Sequence, residues 1–282
     1  MRRCARWAGR RESWAALSCA AVLLAAFVAL ALTTRFGSGV AAWDAHVTDA
    51  FVVWRSPGWS RAFWLFTLLG DDSLMAVLAA ASVLLFATWG RRIQAAAMAV
   101  GLTVAWAAMH VAKWLVGRAR PSATLALIEQ PSSHSMPSGH ALIIVVFCGL
   151  MAYAAFRWID AGWFRHQAAG GVGSGLARLV AVTTKAVVAA MAALLVAGVG
   201  VSRVYLGVHW MSDVLAGWCL GAAVLSSALH AASVWDRTGG PRGRLTRRVP
   251  WDGKRKRVVL SAAATAAVVG AAVATAFADP LL

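Results

Sequence analysis

The chain has 282 residues, 60% of them hydrophobic and 13% charged, with a formal net charge of +16. This composition excludes a disordered protein and argues against an ordinary soluble domain. The basic excess does not mark a nucleic-acid binder, because Lys and Arg gather in loops between apolar runs instead of covering a folded surface.

A basic start, Arg2 to Arg11, precedes an apolar run over 14–34. That start suits a signal peptide. The run is longer than a signal core, however, and no clear small-x-small cleavage site follows, so it reads as a retained anchor. The 35–60 segment is too polar to cross, and its Trp43, Trp54 and Trp59 suit a re-entrant or interfacial stretch at headgroup level. Further spans are expected over 65–89, 93–115, 139–156, 180–199, 207–232 and 258–278, each near the ~20 residues a crossing helix needs. Gly70, Asp71 and Asp72 interrupt the second, for which a start near Leu74 is the alternative. The expected fold is an all-α polytopic membrane bundle. It comprises a basic N-terminus (1–13), a six-span core (14–232), a basic linker (233–257) and a seventh, C-terminal span (258–282).

The glycine-rich 170–175 stretch resembles a phosphate loop but lacks the Gly-Lys-Ser/Thr ending and a preceding strand, so it reads as a linker. The basic 237–257 segment lies between spans, where it fixes topology and meets anionic lipid headgroups. Cys19, Cys148 and Cys219 fall in apolar runs, and none of the four cysteines has metal-ligand spacing. With the N-terminus cytoplasmic, 20 of the 27 Lys and Arg lie on the inner side, as the positive-inside rule requires.

Three stretches then stand out where spans meet water: Lys113 to Arg120-Pro121, Pro137-Ser138-Gly139-His140, and Ser202-Arg203 to His209 and Asp213. Charge at a membrane edge usually has a task. In the expected topology all three lie on the extracytoplasmic face. Lys113 offers a point charge, while Arg120 and Arg203 offer planar forks for phosphate oxygens. Pro121 is expected to end its helix. Pro137 is expected in the first turn of the next, leaving Ser138 and Gly139 amides free for an anion. Gly139 also permits close approach. His209 and Asp213, four apart, are expected on one helix face, the carboxylate fixing the tautomer of an attacking imidazole. His140 is placed to protonate a leaving oxygen. Asp71, Asp72 and Glu129 are too scattered for a metal site, so no metal or other cofactor is expected.

At the remaining positions the reading is structural. Arg118 is expected to face headgroups, Asp71 or Asp72 to cap a helix, and His110 to pack. Tyr205 is expected to anchor at the interface, and His134 is open between substrate contact and solvated loop.

The three stretches together resemble the tripartite signature of the type-2 phosphatidic acid phosphatase superfamily, the lipid phosphate phosphatases, in its bacterial membrane-bound branch. That signature is K-x6-R-P, P-S-G-H and S-R-x5-H-x3-D, and every fixed position is present in order. The resemblance implies a helical fold and hydrolysis of a terminal phosphate from a lipid mono- or diphosphate through a phosphohistidine on His209. Asp213 would orient it and His140 would act as acid. Lys113, Arg120, Ser138, Gly139, Arg203 and Ser202 would hold the phosphate. Polyprenyl diphosphate, phosphatidic acid and phosphatidylglycerol phosphate are the candidate substrates. Lipid-to-lipid phosphotransfer is an alternative, as is, from another class, a transporter or structural protein with a vestigial site. The seventh span departs from the six-span core. Oligomeric state is not legible.

Overall fold

A computed structural model describes residues 2–168 and 174–238. The end of the basic linker, the expected C-terminal span and most of the glycine-rich stretch lie outside the described residues. Within them the chain is helical: α1 (Arg2–Phe36), α2 (Ser38–Val53), α3 (Pro57–Leu68), α4 (Asp72–Thr88), α5 (Arg92–Val116), α6 (Gly139–Ala168), α7 (Ser174–Tyr205) and α8 (Met211–Thr238). One 3-10 turn, Ala123–Leu125, sits in the long α5–α6 loop.

Five of these helices are long and apolar enough to cross a membrane, or six if α3 and α4 count as one bent span. The expected single span over 65–89 is therefore two helices, meeting at 47°. Its break has a local cause. Asp71 caps α4, its Oδ1 accepting from the Ser73 and Leu74 amides at 3.0 and 3.1 Å, and a cap starts a new helix instead of continuing the old one. Gly70 allows the turn to sit close. A Cβ there would lie 2.8 Å from Val199 and 2.9 Å from the His140 ring.

The outer surface confirms which solvent this bundle suits. Val22, Leu24, Leu179, Val187 and Leu194 are all exposed on their helices. Exposed apolar side chains at this density suit lipid, not water. Cys148 is buried, but Cys19 is exposed along α1. The interior is filled by Met98, Ala105, Leu142, Val146, Val199 and Ala216.

α8 packs against α1, α5 and α6, and α6 in turn packs against α5 and α7. Close approach of α8 to α6 depends on two glycines one turn apart. A Cβ on Gly217 would lie 2.7 Å from Ser138 O, and one on Gly221 would lie 2.7 Å from Leu142 O. Small residues four apart commonly serve this purpose between membrane helices. Here they bring the α8 N-terminus against the start of α6.

The 35–60 segment, expected to be a re-entrant or interfacial stretch, holds the end of α1, α2 and the start of α3. Trp43, Trp54 and Trp59 are exposed, whereas Asp44 and Thr48 are fully buried. Tyr205 is not an interface anchor. It is buried against Phe51 and Phe63, and its hydroxyl meets Ser60 Oγ at 3.0 Å and accepts from the Ser56 amide at 3.1 Å. Arg55 joins the same corner by donating to the carbonyls of Tyr205 and Leu125. Burial lowers its guanidinium pKa, an effect partly opposed by Tyr205.

Candidate active site

The end of α5, the start of α6, the end of α7 and the start of α8 meet at one end of the bundle, and each carries a piece of the three stretches. α5 ends at Gly117, whose φ of 63° gives the left-handed C-terminal turn that glycine adopts freely. The last helical residue, Val116, is thus five positions before Pro121, and Arg120 sits on the loop, not on the helix. Lys113, in the last turn, donates to His134 O at 2.5 Å, while the His134 side chain is exposed.

His209 is not on α8. It lies in the turn between α7 and α8, so the expected shared helix face is replaced by a different geometry. Trp210 precedes the first residue of α8, and Asp213 is the third residue of that helix. Asp213 Oδ2 reaches back to accept the Trp210 amide at 2.9 Å, the acidic half of a capping box. That oxygen also takes a short bond from Ser135 Oγ and lies 3.4 Å from His209 Nδ1. Ser135 Oγ is 3.3 Å from the same nitrogen.

The other imidazole nitrogen, Nε2, is 3.2 Å from Arg120 NH1. A guanidinium only donates. Nε2 therefore presents its lone pair to Arg120, and the ring proton sits on Nδ1, facing Asp213. Burial drives the His209 pKa down to about 3, against the raising effects of the Asp213 hydrogen bond and charge. The ring is neutral at neutral pH, with its free lone pair directed at a cation. Arg120 is further fixed by bonds to Ser133 O at 2.9 Å and Val208 O at 2.7 Å. Burial lowers its pKa too, opposed by Asp213.

Arg203 is buried, with NH1 donating to Thr67 Oγ1 at 2.5 Å and Nε left without a partner. Ser138 Oγ is likewise buried and unpartnered. Its amide is not free, however. It donates to Asp213 O at 3.0 Å, tying α6 to α8. Of the two amides expected to face an anion, that of Ser138 is thus used in packing, and its hydroxyl is the available group. Pro137 follows a cis peptide bond and precedes α6 by two residues, so it lies outside the first turn. Gly139 answers to packing as well, since a Cβ there would lie 2.5 Å from Met109 Sδ. Ser202 Oγ donates to Val199 O within α7 and does not turn towards the others. His140 is half-buried and lies within electrostatic range of Arg203, His209, Lys113 and Arg120.

Several residues of this end escaped the sequence reading. Arg118, expected at the headgroups, is instead largely buried between two carboxylates, with NH2 2.6 Å from Asp44 and NH1 2.7 Å from Asp213. Thr67, Ser135, Asp44 and Ser212 have no motif to announce them. His110 packs on Trp106, with ring centroids 4.2 Å apart. Among the described residues, no three of His, Cys, Asp or Glu gather as metal ligands.

Lys113, Arg120, Arg203 and the Ser138 hydroxyl are groups that suit an anion, at the same end of the bundle as the unprotonated Nε2 of His209. The family model of the PAP2 superfamily matches residues 94–237, which hold all three stretches. The chain belongs to the PAP2 superfamily. A protein of Sulfolobus acidocaldarius named undecaprenyl-diphosphatase is 28% identical over 129 residues, covering 44% of this chain and 48% of that protein. The chain thus spans about half the length of the curated relative it matches. The PAP2 fold extends further. A crystal structure of a transmembrane PAP2-type phosphatidylglycerolphosphate phosphatase from Bacillus subtilis aligns with a TM-score of 0.60 at 23% identity, covering 82% of this chain and 98% of that one. At that identity the likeness concerns the fold.

Proposed function

We propose that this chain is an integral-membrane lipid phosphatase acting on the extracytoplasmic face through a phosphohistidine on His209. In this reading the phosphatase core covers residues 14–232. The observation that carries the reading is the His209 ring, with Nδ1 towards Asp213 and the Nε2 lone pair towards Arg120. A phosphate set against Lys113, Arg120, Arg203 and Ser138 Oγ places its phosphorus before Nε2. The P–N bond forms as the bond to the lipid oxygen breaks, and His140 gives that oxygen a proton. Such acid catalysis is worth about 10²–10⁴-fold. Water then attacks the phosphohistidine with His140 as base, releasing inorganic phosphate and restoring the neutral ring. Buried cations stabilise the charge spread over the equatorial oxygens throughout.

Among substrates, a polyprenyl diphosphate is supported by the name of the Sulfolobus relative. Phosphatidic acid and phosphatidylglycerol phosphate present the same terminal phosphate. The lipid tails remain in the bilayer while the headgroup meets the site.

Purified protein in detergent, given each of the three lipids, is expected to release phosphate in the presence of a chelator. His209→Ala is expected to reduce the rate to background with membrane insertion unchanged. Undiminished release from His209→Ala would remove the nucleophile and with it this reading.

A further inference from the structure

We propose that Asp44 is a positioning residue for the His209–Asp213 pair, acting from α2 through Arg118 and Ser212. The proposal rests on the phosphohistidine reading above. Asp44 is fully buried on a helix that carries none of the three stretches. Its carboxylate is saturated by groups that belong to the site. Oδ1 accepts the Ser212 amide at 2.9 Å, and Oδ2 accepts Ser212 Oγ at 2.5 Å and Arg118 NH2 at 2.6 Å. The Ser212 amide is in the first turn of α8, where amides have no partner within the helix. Asp44 therefore supplies from another helix the cap that α8 requires.

Arg118 extends the same contact. Its NH1 turns from Asp44 towards Asp213 Oδ1 at 2.7 Å and Ser212 Oγ at 2.6 Å. The planar fork has its two nitrogens committed to two carboxylates, so fixing one end fixes the plane. Its position is further confined by the Trp210 ring, 5.6 Å from the guanidinium carbon to the centroid. Asp213 is then held by both oxygens, Oδ1 by Arg118 and Oδ2 by the Trp210 amide and Ser135. That leaves Oδ2 one fixed direction in which to meet His209 Nδ1. Without Asp44, one arm of Arg118 is unpaired beside a phosphate site. The guanidinium then loses the contact that fixes its plane, and Asp213 loses the support that sets its rotamer.

Such a residue acts on the orientation of the nucleophile and not on binding of the phosphate. In Asp44→Asn, kcat is expected to fall about 10–100-fold, the usual range for outer partners of a functional group, with KM within about twofold. The deciding comparison is a double-mutant cycle. In an Asp213→Asn background, Asp44→Asn is expected to cost less than about twofold further, since residues that act as a unit are not additive. A merely structural Asp44 would multiply the two losses, and that outcome overturns the proposal, as does a loss confined to KM. If Asp44→Asn is not recovered as monodisperse protein, Arg118→Lys is put through the same cycle. A single ammonium cannot bridge both carboxylates, so the same non-additive loss is expected, and a multiplied loss overturns the proposal. Failure of the underlying reading looks different: folded wild-type protein would release no phosphate from any of the three lipids.

Discussion

A neutral, fully buried histidine leaves a signature in stability as well as in catalysis. His209 has a pKa of about 3 in the folded protein against an ordinary 6.5. Above 6.5 the ring is neutral folded or unfolded and contributes no pH dependence. Between 6.5 and about 3 the unfolded chain binds a proton that the folded chain refuses. Stability is therefore lost as pH falls through this window, by up to about 1.4 kcal/mol per pH unit for this one group. The apparent melting temperature in detergent is expected to drop between pH 7 and pH 5, and His209→Gln is expected to flatten that slope. An equal slope in the variant would mean that His209 titrates normally. The same neutrality keeps Nε2 available as a nucleophile through the mildly acidic range, so loss of activity there would have to come from another group.

At the scale of helices, the site depends on how closely α8 approaches α6. The Ser138 amide donates to Asp213 O, and Gly217 lies against Ser138 O where a Cβ would come within 2.7 Å. The obstacle is backbone, which cannot swing aside like a side-chain tip. Gly217→Ala is expected to push α8 outward at the level of Asp213, costing about 1–3 kcal/mol as an overpacked contact. Thermal unfolding and phosphate release measure both effects, and activity is expected to fall more sharply than stability. The apolar length of α1, α5, α6, α7 and α8 was legible in the sequence because lipid demands it of any crossing helix. Lys113, Arg120, Arg203 and Asp213 stand out because their charge interrupts those apolar runs, and Ser138, His140 and His209 because they share the three stretches with them. What was hidden depends on long-range pairing. Asp44 meets Arg118 across 74 residues and Ser212 across 168, and no local pattern records either contact. The α3–α4 break was half visible, in Gly70 and Asp71, but their spacing does not reveal whether they bend a span or start one. The helical spacing of His209 and Asp213 misled for a related reason, since the helix begins between them.

Across the whole molecule, the two ends of the bundle differ in kind. One end gathers Lys113, Arg118, Arg120 and Arg203, each donating to a carboxylate, a carbonyl or a hydroxyl. The opposite end holds pairs nearer the surface, Arg157 with Asp236 at 2.9 Å and the half-buried Lys185 with Asp160 at 2.5 Å. The positive-inside rule counts basic residues in loops such as these, near the ends of the spans, where anionic lipid headgroups lie. The reading that places the site outside the cell therefore rests on the loops far from the site, not on the site's own charge. It is tested by labelling in a cysteine-free background with a membrane-impermeant maleimide. Ser132, exposed in the α5–α6 loop, and Gly90, exposed between α4 and α5, lie at opposite ends of α5. Ser132→Cys is expected to label in intact cells and Gly90→Cys only after permeabilisation. The reverse pattern would turn the bundle over, putting the phosphate pocket in the cytosol and requiring a substrate presented on the inner leaflet.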